Sequence, residues 1–204
     1  MPSCVTLQGR NLCIQDDEGQ GLCLALDQGG RYRIVVHHAN VAQRLIADLF
    51  AAEQVGILPR DGGVLGGMTV GENFSLALGY GQTRQDVCLP HQEADLQMAL
   101  RMCGMDDDRL ASFSSERPSE MDFVDRWTVG LVRNILLVPE LLVMDRIFES
   151  CSRNQAAALL RREAVFHTFH PFRPVLYVDV DSHELPPLPD SRGQHVWRAQ
   201  TCLS

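Results

Sequence analysis

The 204-residue chain has no lysine: all 18 of its basic residues are arginines. Any mechanism that needs a lysine ammonium is therefore excluded. Excess positive charge is also missing. The formal net charge is −8, so there is no general basic surface to hold nucleic acid. No apolar run approaches the roughly 20 residues that span a bilayer, so direct membrane insertion is not expected. The opening MPSCVTLQGR lacks the basic-then-apolar order of a secretory signal. The seven cysteines, at 4, 13, 23, 88, 103, 151 and 202, are odd in number and contain no Cys-x-x-Cys pair. That usage predicts reduced, mostly buried thiols of a cytosolic protein rather than zinc ligands.

The remaining composition is ordinary for a folded domain. Hydrophobic residues make up 45% and charged residues 22%, enough to bury a real core. CVTLQGRNLCI and GLCLAL read as short strands around the turn-rich QDDEGQ, and GGRYRIVV as a turn and a strand. From Val41 to Ala52, apolar residues recur at 41, 45, 49 and at 42, 46, 50, one face of a helix. VGIL is a further strand, stopped by Pro59.

The middle third carries helical spacing in MTVGENFSLALGY and HQEADLQMALRMCGM, with Gly104 as a stop. DFVDRWTVGLVRNILL aligns Phe123, Trp127, Leu131 and Ile135 on one core-facing stripe, with Asp122 as N-cap. ELLVMD is a strand, RNQAAALLRREAVFHTF a helix and RPVLYVDV a last strand. Alternation of strands and helices predicts an α/β domain with a mostly parallel sheet, interrupted by a helical lobe at about residues 66–120. The tail, 186–204, begins with Pro186, Pro187 and Pro189 and is expected to run over the surface.

Three segments resemble the nucleotide-binding subunit of ABC transporters. GGRYRIVVHHANVAQRLIADLFAA resembles the family's P-loop strand, loop and helix. VGILPRDGGVLGGMTVGENFSLAL resembles its Q-loop segment. RPSEMDFVDRWTVGLVRNILLVPELLVMDRIF resembles its signature segment, helix and Walker B strand. In style the chain is closest to the ATPases of bacterial lipid-asymmetry importers, the Mla type. The resemblance spans residues 5–185. It implies a P-loop NTPase-like parallel sheet flanked by helices, an inserted helical lobe and a truncated antiparallel β lobe.

The letters that carry the family's chemistry differ. The resemblance places His37, His38, Asn40, Gln43 and Arg44 in the phosphate loop, with no glycine among them. Gln43 stands for the phosphate-reaching lysine and Arg44 for the magnesium hydroxyl. Arg60 replaces the Q-loop glutamine, and Val180 the H-loop histidine. Asp122, Phe123 and Val124 replace the signature serine and glycines. A carboxylate there opposes a phosphate: like unit charges at 4 Å repel by about 4 kcal/mol at an effective dielectric of 20. Asp145 matches the Walker B aspartate as a remnant, paired with an arginine. Arg146 stands where the catalytic glutamate would be, and a guanidinium accepts no proton from water.

These replacements imply a pseudo-ATPase with no catalytic residue, no metal and no bound ATP or magnesium. The implied role is a scaffold or regulator in a transport complex, with lipid as the cargo that the Mla-like style suggests, at the inner face of a bacterial inner membrane. Its partners would be a membrane permease, a sister ATPase or a second copy of itself. Two alternatives stand beside this: a repurposed pocket holding another anion through His37, His38 and Arg44, or a free-standing regulatory interaction protein. The bland expectations are a solvated run at Asp106, Asp107 and Asp108 and a frayed helix end at His167 and His170.

Overall fold

The computed structural model describes residues 4–15, 21–52, 54–84, 92–149, 151–181 and 185–197. Alternating side chains build two sheets from them. β1 (Cys4–Gln8), β2 (Asn11–Gln15) and β3 (Gly21–Ala25) form an antiparallel three-stranded sheet. β4 (Arg31–Val36), β5 (Val55–Pro59), β6 (Leu141–Asp145), β7 (Val175–Val180) and β8 (Ser191–Trp197) form a parallel sheet in the order β5-β6-β7-β4-β8. Residues 191–197 therefore do more than run over the surface: they extend the sheet along β4. Ser191, Arg192 and Gln194 are exposed polar residues, which suit an edge strand.

The central strands of the large sheet are buried on both faces, as parallel strands must be. Leu141, Val143, Leu176 and Val178 pack with Ile34, Val36 and α1 (Ala39–Ala51) on one side, where Leu12, Ile14 and Leu24 of the small sheet complete the layer. Leu142, Met144, Val175 and Tyr177 face the other side, against Trp127, Leu131, Leu159 and Phe166. Those side chains belong to α5 (Phe123–Leu137) and α6 (Arg153–Phe169). The inserted lobe carries α2 (Val70–Arg84), α3 (Gln92–Met102) and α4 (Asp107–Phe113).

Local chemistry sets the helix ends. Thr69 and Glu72 exchange hydrogen bonds at the start of α2, and Ser152 and Gln155 form a capping box on α6. Asp122 accepts from Asp125 N at 2.8 Å and caps α5 as expected. Gly104 follows α3 at φ +95, the conformation that lets it end a helix. The Asp106–Asp108 run is exposed, but it is not merely solvated. Asp106 caps α4, and Asp107 pairs with Arg101 at 2.6 Å. α6 is ordered to Phe169, and His170 is its C-cap, with Nε2 2.8 Å from Ile135 O.

The cysteines depart from the sequence reading. Cys13 and Cys23 stand opposite each other in the β2–β3 register and are joined as a disulfide. Cys103 is buried as a free thiol and Cys151 is a half-buried one. Cys88 and Cys202 lie outside the described residues.

One close approach fixes the end of β5 and the turn after it against α5. A Cβ on Gly130 would lie 2.7 Å from Leu58 Cδ1 and closer still to the Gly62 carbonyl oxygen. Gly130→Ala is expected to lower unfolding free energy by about 1–3 kcal/mol through this overpacking. Gly79→Ala, with nothing within 4 Å of its Cβ, is expected to gain up to about 1 kcal/mol. Denaturant midpoints of the two variants check both signs.

Candidate functional site

β6 carries its acid at its last position. Asp145 is 8% exposed, and the chain leaves it through Arg146 at φ +48, in the left-handed region. Arg146 N donates to Val178 O at 2.9 Å, which ties this turn to β7. Its guanidinium folds back on the neighbouring acid: Nε lies 2.6 Å from Asp145 Oδ1 and Nη2 3.2 Å from Oδ2. Both carboxylate oxygens are engaged by one fork. The hydrogen bond to Asp145 raises the Arg146 pKa above its ordinary value, so the guanidinium stays charged.

An open cleft of about 350 Å³ lies over this pair, bordered by Pro59, Arg60, Asp61, Phe123, Arg126, Asp145, Arg146 and Glu149. Arg60 comes from the end of β5 and lies 5.9 Å over the Phe123 ring at the start of α5. Three guanidinium groups and three carboxylates border the cleft, so it carries no net formal charge. It offers an anion no excess of positive charge, and its buried acid already has a partner. Arg126, Asp61 and Glu149 are not flagged by the family resemblance. Arg126 lies one turn beyond Asp122, a spacing that points to the same helix face.

The loop between β4 and α1 is short. β4 ends at Val36 and α1 begins at Ala39, leaving only His37 and His38 between them. His38 is the backbone N-cap and makes no side-chain cap hydrogen bond. His37 is half-buried, with Nδ1 3.5 Å from Asp181 Oδ2. Asn40, Gln43 and Arg44 are exposed on α1. None of these five residues borders the Asp145 cleft. Asp122 is exposed and occupied with capping, Val124 is half-buried, and Val180 is buried at the end of β7. Among the described residues, no group of three or more His, Cys, Asp and Glu side chains is arranged to hold a metal ion.

No family model matches the sequence, and no curated protein matches it. Solved structures do. One is cbiO1 from Clostridium perfringens, part of the ABC transporter complex cbiONQ. It is 10% identical with a TM-score of 0.61, over 89% of this chain and 80% of its own. An ATP binding subunit of an ABC transporter is 15% identical with a TM-score of 0.58, over 89% and 80%. The cassette MJ0796, as a dimer bound to ADP and Pi, is 10% identical with a TM-score of 0.54, over 87% and 85%. The chain has the fold of an ABC ATP-binding cassette. Identities this low establish the cassette architecture and nothing of its chemistry. On the cassette, β4 and α1 flank the two-histidine loop, and β6 ends at the Asp145–Arg146 fork.

Proposed function

We propose that the protein is a non-catalytic cassette, kept as a docking and regulatory body of a transport complex. The observation that carries this is the Asp145–Arg146 fork. A magnesium ion needs carboxylate oxygen at its coordination distance, together with hydroxyl and phosphate partners. Here a fixed guanidinium holds both oxygens of the one acid in place. A two-residue loop is also too short to wrap successive backbone N–H groups around a triphosphate. The residues present do not fit magnesium–ATP, and no catalytic step is assigned to them.

The fold suggests the partners. A cassette works beside a membrane permease and a second cassette, here a sister ATPase or another copy of this chain. No helix among the described residues is long and apolar enough to cross a membrane, so attachment would run through a permease at the inner face of a bacterial inner membrane. The style of the Q-loop and signature segments favours a lipid substrate. In family sites the phosphate loop of one chain faces the signature of the other. With both segments altered here, a dimer with an intact sister completes neither site, so the chain would hold that sister inactive or act as a scaffold.

Affinity capture of the tagged chain from native membranes, with its partners identified, tests this reading. A permease and an intact cassette in the capture support it. Recovery of the chain alone from every membrane fraction favours the free-standing regulatory protein. An anion pocket at His37, His38 and Arg44 has less behind it, because His37 lies beside the Asp181 carboxylate.

A further inference from the structure

Two five-residue strands carry the same pattern, NLCIQ and GLCLA. Leu12 and Ile14 are fully buried beneath β2, and Leu24 is 5% exposed beneath β3. Strand alternation then turns the intervening Cys13 and Cys23 to the outer face of the small sheet. Cys23 is exposed and Cys13 is half-buried. The register sets them directly opposite, with Cα atoms 4.2 Å apart. That spacing belongs to a non-hydrogen-bonded antiparallel pair, where facing side chains come closest. The ladder on both sides, Leu12 with Leu24 and Ile14 with Leu22, is independent of the sulfur bond. Reduction therefore leaves the two thiols facing each other, and closing them again is intramolecular.

We propose that Cys13 and Cys23 form a thiol–disulfide exchange site whose partner is a low-molecular-weight disulfide. In the oxidising direction, the exposed Cys23 thiolate attacks one sulfur of RS–SR. A Cys23 mixed disulfide forms and one RS⁻ leaves. The Cys13 thiolate then attacks the Cys23 sulfur and expels the second RS⁻. Two protein thiols are oxidised, one small disulfide is reduced to two thiols, and the two protons pass to them. The bridge closes only a ten-residue separation within a hairpin already held by its ladder. It therefore adds less than a bridge across a long loop would, which suits a reversible pair better than a staple. Two further described thiols are poor competitors. Burial pushes Cys103 up to about 12, and burial also raises Cys151, which bonds to Ile147 O.

The test uses the full chain, reduced and then equilibrated in mixtures of reduced and oxidised glutathione. Reactive thiols are alkylated and mapped by mass spectrometry. Cys13 and Cys23 are expected to lose alkylation together as oxidised glutathione rises and to regain it in excess reduced glutathione. In the reduced chain, Cys23 is expected to alkylate at least about 10-fold faster than Cys103. Cys13→Ser is expected to leave Cys23 carrying a stable glutathione adduct, and circular dichroism confirms that this variant is folded. Cys4 pairs with Gln15, two residues along β1 from the Thr6–Cys13 pair, so Cys4→Ser controls for a third thiol and is expected to leave the Cys13–Cys23 transition in place. The proposal is overturned if both residues stay alkylatable in excess oxidised glutathione. It is equally overturned if the bridge persists in excess reduced glutathione, which would make it a permanent staple.

Discussion

Arg31→Met is expected to cost about 3–5 kcal/mol of folding stability. Arg31 opens β4 and meets Glu163 of α6, Nε to Oε2 at 2.9 Å, with side chains 9% and 0% exposed. Removing one partner strands a buried charge, which is worse than removing both. The double variant Arg31→Met with Glu163→Met is therefore expected to recover most of the loss. Chemical denaturation of the two single variants and the double variant closes the cycle.

The pH dependence of this deficit has a definite sign. Burial raises the Glu163 carboxyl above its ordinary 4.5, with Arg31 opposing the rise. A group raised in the folded state contributes stability below its unfolded pKa, and that contribution is lost as pH rises through the folded pKa. Without Arg31 the opposition is gone, so the deficit of Arg31→Met is largest near neutrality and shrinks on acidification. His167 is shifted in the other direction. Burial, and then the Arg31 charge, lower it from 6.5 to about 4, so its contribution is present above 6.5 and lost as pH falls towards 4. Arg31→Met removes a charge that lowers both groups, so comparing wild type and variant at matched values between about pH 5 and pH 8 reads Glu163 and His167 together, and both shrink the deficit on acidification.

Trp127→Ala is expected to cost about 3–5 kcal/mol, the range for emptying a buried large aromatic. Trp127 is fully buried in α5, within the cluster that joins the helical lobe to the sheet. Its indole nitrogen has no hydrogen-bond partner among the described residues, so packing is the term that is lost. Trp127→Phe keeps most of that packing and is expected to cost less than half as much. Denaturant titration gives both values. Hydrogen exchange is expected to show α2, α3 and α5 losing protection before β1–β3, because the cavity opens on the lobe side of the sheet.

Much of this architecture is legible in the residues. The RYRIVV, ELLVMD and VLYVDV runs form β4, β6 and β7, because each alternates or saturates with apolar side chains where a two-sided sheet needs them. The Asp122 cap and the Gly104 stop are local signals and sit where local chemistry puts them. The features hidden from the sequence depend on residues distant along the chain. Glu163 lies 132 positions from Arg31, so no window of sequence announces that pair. β8 opens with the polar and glycine run SRGQH at a sheet edge, and such a run reads like a loop. The Cys13–Cys23 bridge escapes a reading of cysteine spacing because it follows from the hairpin register, which no spacing motif encodes. At the site, the residues point to an arginine partner for Asp145 without saying that it is the adjacent Arg146. Their union needs the left-handed turn at Arg146, unusual for a side-chain-bearing residue and invisible in composition.

Arg146 engages both oxygens of the Asp145 carboxylate, and the proposed non-catalytic role rests on that engagement. Isothermal titration of the purified chain with magnesium–ATP tests it most directly. No saturable heat up to millimolar ligand is the predicted result, unchanged in Asp145→Asn. Saturation at micromolar concentration, abolished by Asp145→Asn, would contradict it.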